Sequence, residues 1–526
     1  MLTRIFSDEQ KRSGLLASLF GGAVYILTNG YRFFQTSFAG DALLMVYQND
    51  AAWQIALGRF MQPFLILVRG SIAAPFLISV LALCWLMGSI FLVTDLLKIK
   101  SKAALIMTGA VMASGPTFIC ANASYLPWVD LYCLSLFLSV LGAWLFCKKK
   151  YIPTLFGALA IAVSVGIYQS YVCVAIGLLM IRFILDTLDG VKLKDRFLNG
   201  LKWLSGFAIG AAVYLAVWKY LQHARNIWTA NTYNGLANIG DYSGLSLFEV
   251  IAITYGNVLE SITKPLTYVT ISFSGRNLSV YIGTILAVLG IIGVILTLVI
   301  LVIANIKRKT GVWDLILQCV LILLYPFGIN VVCFLARGME HPLMSYALVL
   351  VPVFEIICTD LAFSDTKDLP DKKKVTALIP RIGGIVIMIS LTLSVWSSCV
   401  YGNQTSLKVT LQEKSVDSLM TRIISRIETT EGYIPGVTQV AFSGNFESNP
   451  HLTELTDFTG IDIYGVRKTT LSYPGTDYAY LKYFEQTDLN LTRVPDDDER
   501  LKNKPCYPEQ GSLFFIDDVL IVKISD

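Results

Sequence analysis

Three short stretches of the sequence, 41–60, 122–130 and 337–342, place ionisable side chains directly beside long apolar segments. A charged side chain beside an apolar phase raises the free energy of the protein, so it is expected to have a binding partner or a function. Carboxylates there can take a proton from a hydroxyl group, and guanidinium groups can bind an anion. The ionisable residues of the three stretches are Asp41, Asp50, Arg59, Asp130, Arg337, Glu340 and His341.

Each of these residues also has a purely structural interpretation. Asp41 can cap a helix, and Asp130 can pair with an arginine inside the protein. A histidine beside a helix end is more often a packing residue, so His341 carries little weight by itself. For any one of these residues taken alone, we therefore favour the structural interpretation. The set favours a site, because the charge pattern described below puts all three stretches on one side of a membrane.

The composition requires an integral membrane protein. Hydrophobic residues make up 54% of the 526 residues and charged residues 15%, and the mean hydropathy is +0.60. Soluble domains are about one quarter charged, so a soluble core, a disulfide scaffold and a disordered chain are excluded. Stretches of about twenty apolar residues predict membrane-spanning helices. We count eleven, at 14–35, 72–95, 103–121, 129–147, 151–168, 170–187, 201–222, 279–305, 314–335, 343–362 and 382–401.

Basic residues in the connecting segments alternate strongly between the two sides. One side holds 21 Lys and Arg, and the other holds 7 before residue 402. Because positive loops stay in the cytoplasm, the N-terminus is predicted to be cytoplasmic. An odd number of spans then puts the segment 402–526 outside. We predict a multi-pass cell-membrane protein with a transmembrane domain, 1–401, and an extracytoplasmic domain, 402–526.

The tail, residues 402–526, has the pattern of a small α/β domain. It combines a helical pattern over 416–427, a strand near 438–442, an aromatic helix near 478–484 and a closing hairpin over 513–522. With 12 basic and 19 acidic residues the tail is acidic. No basic patch is left for nucleic acid once the loops beside the membrane are counted.

Two external segments before the tail predict short helices at the membrane surface, within 36–71 and at 245–262. Nine of the ten cysteines lie in apolar stretches, and no CxxC or Cys/His cluster is found. The acidic run 496–499 lacks the spaced ligands of a calcium loop, so it is interpreted as a solvated turn. We expect no metal site and no cofactor.

Four motifs in a fixed order resemble the bacterial glucosyltransferases of the O-antigen serotype-converting (Gtr) type. These belong to the polyprenyl-phosphate-dependent multispanning membrane glycosyltransferases. The resemblance covers residues 15–400 and implies a GT-C-like bundle of about eleven helices. Gly40 stands where the family has the first acid of a pair, so Asp50 stays a rival for the second carboxylate. The matching residues are Asp41, Gly58-Arg59, Asn122-Ala123-Ser124-Tyr125 with Asp130, and Tyr168-Gln169-Ser170-Tyr171.

The resemblance implies an inverting enzyme that moves a hexose, foremost glucose, from an undecaprenyl-phosphate sugar to a polysaccharide or glycolipid at the outer membrane face. It also implies a lipid-phosphate sugar synthase and a flippase as partners. A lipid-linked sugar flippase or transporter is the alternative, but few charges lie within the spans, chiefly Arg182 and Glu355. A polysaccharide polymerase or ligase would share the outer-face site, and only a donor assay separates it.

The resemblance, together with the chemistry of sugar transfer, assigns the roles. Asp41 is the candidate general base, Asp50 its rival, and Asp130 a supporting residue. Arg59 and Arg337 are the candidates for stabilising the leaving phosphate. No Asp-x-Asp occurs in the external loops, as expected for a lipid phosphate that leaves without a metal ion. The further substrate-binding candidates are Trp53, Asn122, Tyr125, Tyr168, Gln169 and His341.

Overall fold

The structure is a computed structural model that describes residues 6–46, 50–228, 244–270, 278–364, 378–452, 458, 460–472, 475–485, 487, 489–495 and 498–526. Most of these residues are helical. The helices are α1 Asp8–Asn29, α2 Asp41–Leu44, α3 Ala51–Ala56, α4 Met61–Arg69, α5 Pro75–Leu97, α6 Lys102–Ala113, α7 Pro116–Ser124, α8 Val129–Phe146, α9 Tyr151–Ile167, α10 Val172–Leu188, α11 Leu193–Arg225, α12 Leu247–Thr263, α13 Leu278–Arg308, α14 Val312–Ile329, α15 Val331–Leu335, α16 Leu350–Ser364, α17 Leu378–Glu428 and α18 Thr476–Tyr480.

The described residues contain ten helical segments that are long and apolar enough to cross a membrane. An eleventh, α9, is equally apolar but only 17 residues long, which is about 25 Å. These eleven segments coincide with the eleven predicted spans. The predicted class, an all-α polytopic bundle, is therefore confirmed, and so are the helices expected within 36–71 and at 245–262, namely α3, α4 and α12.

Small residues let α1 and α6 approach closely. A Cβ on Gly109 would lie 2.1 Å from the carbonyl oxygen of Ala17 and 3.0 Å from the amide nitrogen of Gly21. Backbone therefore packs against backbone at this crossing, as is common where lipid-facing helices associate without a hydrophobic driving force.

The connecting segments at one end of the bundle hold one another by hydrogen bonds to backbone carbonyls. The Arg32 guanidinium donates to the carbonyl of Asn122 at 3.1 Å, and the Thr117 hydroxyl donates to the carbonyl of Pro342 at 2.6 Å. The Gly40 amide donates to the carbonyl of Thr470 in the tail at 3.3 Å. The stretches singled out in the sequence thus meet at the same end. That this end faces outward remains a prediction.

The tail carries the predicted sheet and hairpin. Its strands are β1 Gln439–Ser443, β2 Asn490–Leu491, β3 Leu513–Ile516 and β4 Val519–Lys523, in the order β2-β1-β4-β3. β1 is parallel to both β2 and β4, whereas β3 and β4 form an antiparallel hairpin. Asp517 and Asp518 form its turn, both with positive φ. Of the acidic run 496–499, residues 496 and 497 lie outside the described residues.

α17 joins the tail to the bundle without a break. Its 51 residues are about 76 Å long, so the helix extends well beyond a membrane core of about 30 Å. It passes through the predicted boundary between residues 401 and 402 as one continuous helix. The division into two domains therefore stays a prediction about independent folding.

The close crossing of α1 and α6 predicts that Gly109→Ala lowers stability, because its Cβ would overlap backbone atoms. We expect a loss of about 1–3 kcal/mol in the free energy of unfolding, measured in detergent. Gly256→Ala in α12 is the matched control, since no atom lies within 4 Å of its added Cβ. That control should be neutral or stabilising by up to about 1 kcal/mol. Equal stability of the two variants would contradict the close crossing.

Candidate active site

A cavity of about 870 Å³ lies between α9, α10, α11 and α14. Its polar end lies beside the converging loops and is lined by Arg59, Tyr168, Gln169, His341 and Tyr464. The rest of the lining is almost entirely apolar. The cavity therefore has two chemically distinct ends, a polar one at the loops and a hydrocarbon-like one along the helices.

The apolar part of the cavity is a groove along the helices. α10 contributes Val172, Ile176, Leu179, Met180 and Phe183, which share one helical face. From the first to the last of these residues the helix rises about 16 Å, half the thickness of a membrane core. The facing wall on α11 is formed by Trp203, Leu204, Phe207, Ala211 and Leu215. A groove of this length and composition fits a hydrocarbon chain.

Arg59 supplies the positive charge at the polar end. Its guanidinium lies over the ring of Tyr168, 4.6 Å from the ring centroid. Its Nε atom is buried without a hydrogen-bond partner. Within the part of the chain that the structure describes, the Arg59 side chain makes no hydrogen bond or ion pair. A guanidinium held only by an aromatic face is available to an anionic ligand.

The turn that carries Arg59 is held by side chains of other helices. Gln169 donates a hydrogen bond to the carbonyl of Leu57 at 2.7 Å, and the Tyr214 hydroxyl donates to the carbonyl of Gly58 at 3.1 Å. Gly58 has a φ of +79°, and a Cβ there would lie 2.3 Å from the Tyr214 hydroxyl oxygen. The Gly-Arg motif thus places a guanidinium through a turn that requires glycine.

His341 lies at the same end, stacked on Tyr464 with ring centroids 4.7 Å apart and an interplanar angle of 10°. Burial and the charge of Arg59 lower the pKa of His341 to about 4, so the ring is neutral at pH 7. Its Nδ1 atom is buried without a hydrogen-bond partner. A neutral imidazole in this position can donate or accept a hydrogen bond with a ligand, but it adds no charge to that of Arg59.

Glu340 fixes the loop that carries His341. The side-chain amides of Asn257 and Asn330 both donate to its Oε2 atom, at 2.6 and 2.9 Å. Burial raises the pKa of Glu340, and these hydrogen bonds partly oppose the shift. The carboxylate ties the loop to α12 and to the end of α14, so Glu340 is a positioning residue for His341.

Asp41 begins α2 and is half-buried. Tyr125 donates a hydrogen bond to it, and Arg467 of the tail lies close enough to attract its charge. Burial is the larger effect and raises the pKa of Asp41, which favours proton uptake. Gly40 precedes it as the N-cap with a φ of +52°. Asp41 is therefore not the capping residue that the structural interpretation proposed.

Aromatic side chains connect the acidic and basic parts of the site. Tyr464 is stacked on both His341 and Tyr125, with the Tyr125 centroid 6.3 Å away. Tyr132 lies within electrostatic range of both Arg59 and Asp41. These aromatic rings thus link the anion-binding candidate in the cavity to the general-base candidate, which itself lies outside the cavity lining.

The motif Asn122–Tyr125 positions the parts of this site. The Asn122 amide donates to the Tyr25 hydroxyl at 3.1 Å, and Asn122 itself does not line the cavity. The Ser124 hydroxyl donates to the carbonyl of Tyr464 at 3.0 Å. Tyr125 contacts Asp41. The motif therefore fixes neighbouring elements. Of its four residues, Tyr125 contacts a candidate catalytic group, the Asp41 carboxylate.

The remaining two candidate carboxylates, Asp130 and Asp50, have structural partners. Asp130 forms a buried ion pair with Arg69 at 2.6 Å, and both side chains are about 95% buried. Asp50 caps α3 by accepting a hydrogen bond from the Trp53 amide at 2.9 Å. These contacts match the structural interpretation of Asp130 and a capping role for Asp50.

Two further candidates lie outside the cavity lining. Arg337 is half-buried with a φ of +59°, and Trp53 is 39% exposed. Neither is among the residues that line the cavity. Of the predicted substrate-binding residues, the cavity brings together Arg59, Tyr168, Gln169 and His341.

The sequence did not point to Tyr464 or Arg467. Both lie far along the chain from the bundle residues they approach, and Tyr464 is 340 positions from Ser124. The local signal for the contact between Tyr464 and Ser124 is the adjacent Gly465, whose φ of +85° allows a turn directly beside Ser124. Tyr132 and Tyr214 were also missed, because inside apolar spans they resemble ordinary packing residues.

The geometry defines a multi-pass membrane protein with a composite site at one end of its bundle. The family described as Glucosyl transferase GtrII matches residues 30–357, more than half of the chain. The chain therefore belongs to that family. The resemblance found in the sequence motifs is confirmed.

Comparison with solved structures gives two oligosaccharyltransferases of the GT-C class from Archaeoglobus fulgidus. The apo crystal structure has 12% identity and a TM-score of 0.36, and the match covers 94% of this chain and 66% of the archaeal chain. The archaeal AglB in complex with an inhibitory peptide and a dolichol-phosphate has 12% identity and a TM-score of 0.35, with coverages of 89% and 64%. The chain spans just under two thirds of the length of both. Comparison with curated protein sequences gives no match.

Proposed function

We propose that the protein transfers a hexose, foremost glucose, from an undecaprenyl-phosphate sugar to a cell-surface polysaccharide on the outer face of the membrane, with inversion at the anomeric carbon. The observation that carries the proposal is the cavity with a long apolar groove and the half-buried arginine Arg59 at one end. Such an amphipathic cavity suits a donor that has a polyprenyl chain and a phosphate.

The groove accounts for the lipid part of the donor. Its walls on α10 and α11 are apolar over about 16 Å, so a polyprenyl chain replaces membrane lipid there at no cost in polar desolvation. The runner-up, a flippase or transporter, would need a polar path for the sugar across the membrane. The apolar lining beyond Gln169 does not offer one, and this favours the transferase.

The polar end accounts for the phosphate. Arg59 is the proposed ligand, because its guanidinium faces the cavity without a hydrogen bond of its own. His341 adds a neutral hydrogen-bonding group beside it. As the bond from the anomeric carbon to the phosphate oxygen breaks, its electron pair goes to the phosphate, and a fixed guanidinium stabilises the added charge.

Asp41 is the proposed general base. The acceptor hydroxyl attacks the anomeric carbon from the face opposite the phosphate, and its proton passes to the Asp41 carboxylate. The raised pKa suits this step, because a more basic carboxylate accepts a proton more readily. Asp130 takes a supporting role, since Arg69 already neutralises its charge. Asp50 remains the rival base on the same loop.

The orientation and the partners complete the proposal. The excess of Lys and Arg at the opposite end of the bundle supports an outward-facing site with an extracytoplasmic tail. A donor presented outside must be made and moved across the membrane first, so a lipid-phosphate sugar synthase and a flippase are proposed as partners. A polymerase or ligase would instead use a lipid diphosphate donor that carries an oligosaccharide, and a donor assay would reveal that preference.

The groove predicts that Ala211→Trp obstructs the lipid chain, since Ala211 lines the cavity. We expect the KM for an undecaprenyl-phosphate hexose to rise severalfold, with less effect on a donor with a short prenyl chain. Ala212→Trp is the matched control, because Ala212 is the next residue on α11 and lies outside the lining. Equal kinetics of both variants with the long donor would place the lipid elsewhere.

Arg59→Lys should lower donor turnover about tenfold or more, because lysine keeps the charge but loses the planar fork that binds two phosphate oxygens. The measurement is kcat/KM with an undecaprenyl-phosphate hexose, on protein shown to insert normally. Arg337→Lys provides the comparison and should have the smaller effect, since Arg337 lies outside the lining. The opposite order of effects would assign the phosphate to Arg337.

Asp41→Asn should lower the transfer rate about 100-fold or more while donor binding persists, because the amide cannot accept the proton. In the parent enzyme the rate should fall on acidification through a pKa above the usual aspartate value of 3.8, as the base becomes protonated. Asp50→Asn and Asp130→Asn should retain this pH profile. If Asp50→Asn abolishes transfer and Asp41→Asn does not, Asp50 is the base.

A further inference from the structure

The tail contains a second cavity, of about 470 Å³, which lies at one edge of its sheet. It is lined by residues at or shortly after the ends of three strands, namely 443–445 at the end of β1, 493–494 beyond β2, and 523, 525 and 526 at the end of β4. These three strands are parallel neighbours, so their carboxyl ends point the same way. The volume is within the range of about 300–1,000 Å³ that is typical of ligand pockets. We call this cavity the tail pocket.

The strand order makes this edge a natural binding position. β1 is central, the chain continues to β2 on one side, and β4 returns on the other side. The residues after β1 and after β4 stay hydrogen-bonded to each other, since the Ile524 amide donates to the carbonyl of Ser443 at 2.8 Å and the Asn445 amide donates to the Ser525 hydroxyl at 2.8 Å. In open sheets with parallel strands, ligands bind in crevices at the carboxyl ends of the strands, and the tail pocket has that position.

The lining combines hydroxyl, carboxylate and aromatic groups. Ser443 and Thr476 contribute hydroxyls, Asp477 and Asp498 contribute carboxylates, and Tyr478 contributes a partly exposed ring. Carboxylates and hydroxyls accept hydrogen bonds from sugar hydroxyls, and the ring offers an apolar face. This set suits a ligand that is rich in hydroxyl groups.

The charges of the tail pocket are balanced and mostly paired. The Lys523 ammonium donates to the carbonyls of Leu501 and Lys504 at 3.0 and 2.9 Å and pairs with Asp526 at 2.6 Å. Lys502 pairs with Glu499 at 3.3 Å, and Asp498 pairs with Arg500 at 2.7 Å. Because the lining holds three basic and three acidic residues, it carries no net charge that would favour an anion, and an uncharged polyhydroxyl ligand is favoured.

The tail pocket lies directly beside the helix that begins with Asp41. The Gly40 amide donates to the carbonyl of Thr470 at 3.3 Å, and Leu471 lines the pocket. Gly475 also lines the pocket, and a Cβ there would lie 3.9 Å from the side chain of Leu44 in α2. Residues 470–472 and 475–476 thus lie between the tail pocket and the helix that begins with the candidate base.

We infer that the tail pocket binds the acceptor glycan, holding sugar residues next to the one whose hydroxyl group reaches Asp41. This inference rests on the proposed function, because it assigns one substrate of that reaction to a place in the fold. It gives the tail a role in acceptor recognition and separates the two substrates, with the lipid donor in the bundle and the glycan on the sheet edge.

The test is binding of short fragments of the native cell-surface polysaccharide to the full-length protein in lipid nanodiscs, measured by calorimetry. Asp477→Asn removes an acceptor carboxylate, and Lys502→Trp places a bulky ring at a lining position. Each should weaken glycan binding about tenfold or more and raise the KM for the acceptor. Asp518→Asn and Lys504→Trp are the matched controls, because both residues lie outside the lining and should bind as the parent does.

The outcomes separate this inference from the proposed function. Unchanged glycan affinity in both pocket variants, or a parent protein that transfers sugar without binding the fragments, would overturn the inference and leave the transferase intact. Glycan binding that depends on the tail pocket, in a protein that does not turn over any polyprenyl-phosphate hexose, would support the pocket and remove the proposed donor. Stronger binding of UDP-glucose or inorganic phosphate than of glycan would also overturn it.

Discussion

Buried backbone carbonyls need hydrogen-bond donors, and this requirement joins the tail to the membrane bundle. Lys408 of α17 donates to the carbonyl of Ile461 at 3.0 Å, and Tyr401 donates to the carbonyl of Asp462 at 3.1 Å. Ser124 of α7 donates to the carbonyl of Tyr464 at 3.0 Å. Because each unpaired carbonyl would cost about 1–3 kcal/mol, the segment 460–468 is held where these donors lie. Tyr464 and Arg467 reach the site as a consequence.

The arginines at this end of the bundle show how the protein distributes positive charge. Arg32 is fully buried and donates to the carbonyl of Asn122, and Arg69 pairs with Asp130. Within the described residues, the Arg59 guanidinium has the face of Tyr168 and no hydrogen bond or ion pair. The first two therefore stabilise loops, whereas the third retains unused hydrogen-bonding capacity beside a cavity. Binding the phosphate of the proposed donor would satisfy that capacity.

Local patterns in the sequence were sufficient to predict the spans, the hairpin over 513–522 and the shared end of the bundle. They depend on apolar length, alternation and loop charge, which a short window contains. Pairings between distant residues were not predictable, because no window contains both partners. Arg69 and Asp130 are 61 positions apart, and Tyr464 is 340 positions from Ser124. The roles of Asn122 and Ser124 became visible only through such partners.

The site lies where two phases meet, and this position decides how its substrates arrive. A polyprenyl chain is soluble only in the membrane, so the proposed donor is expected to reach Arg59 sideways, along the apolar walls of α10 and α11. A polysaccharide is soluble only in water, so the proposed acceptor is expected to reach Asp41 from the side of the tail. Neither substrate would cross into the other phase cheaply. The proposed reaction would therefore take place at the boundary, where Tyr464 lines the polar end of the groove and lies near Tyr125. Aromatic rings with hydroxyl groups suit that boundary, because one end of the side chain is apolar and the other is polar.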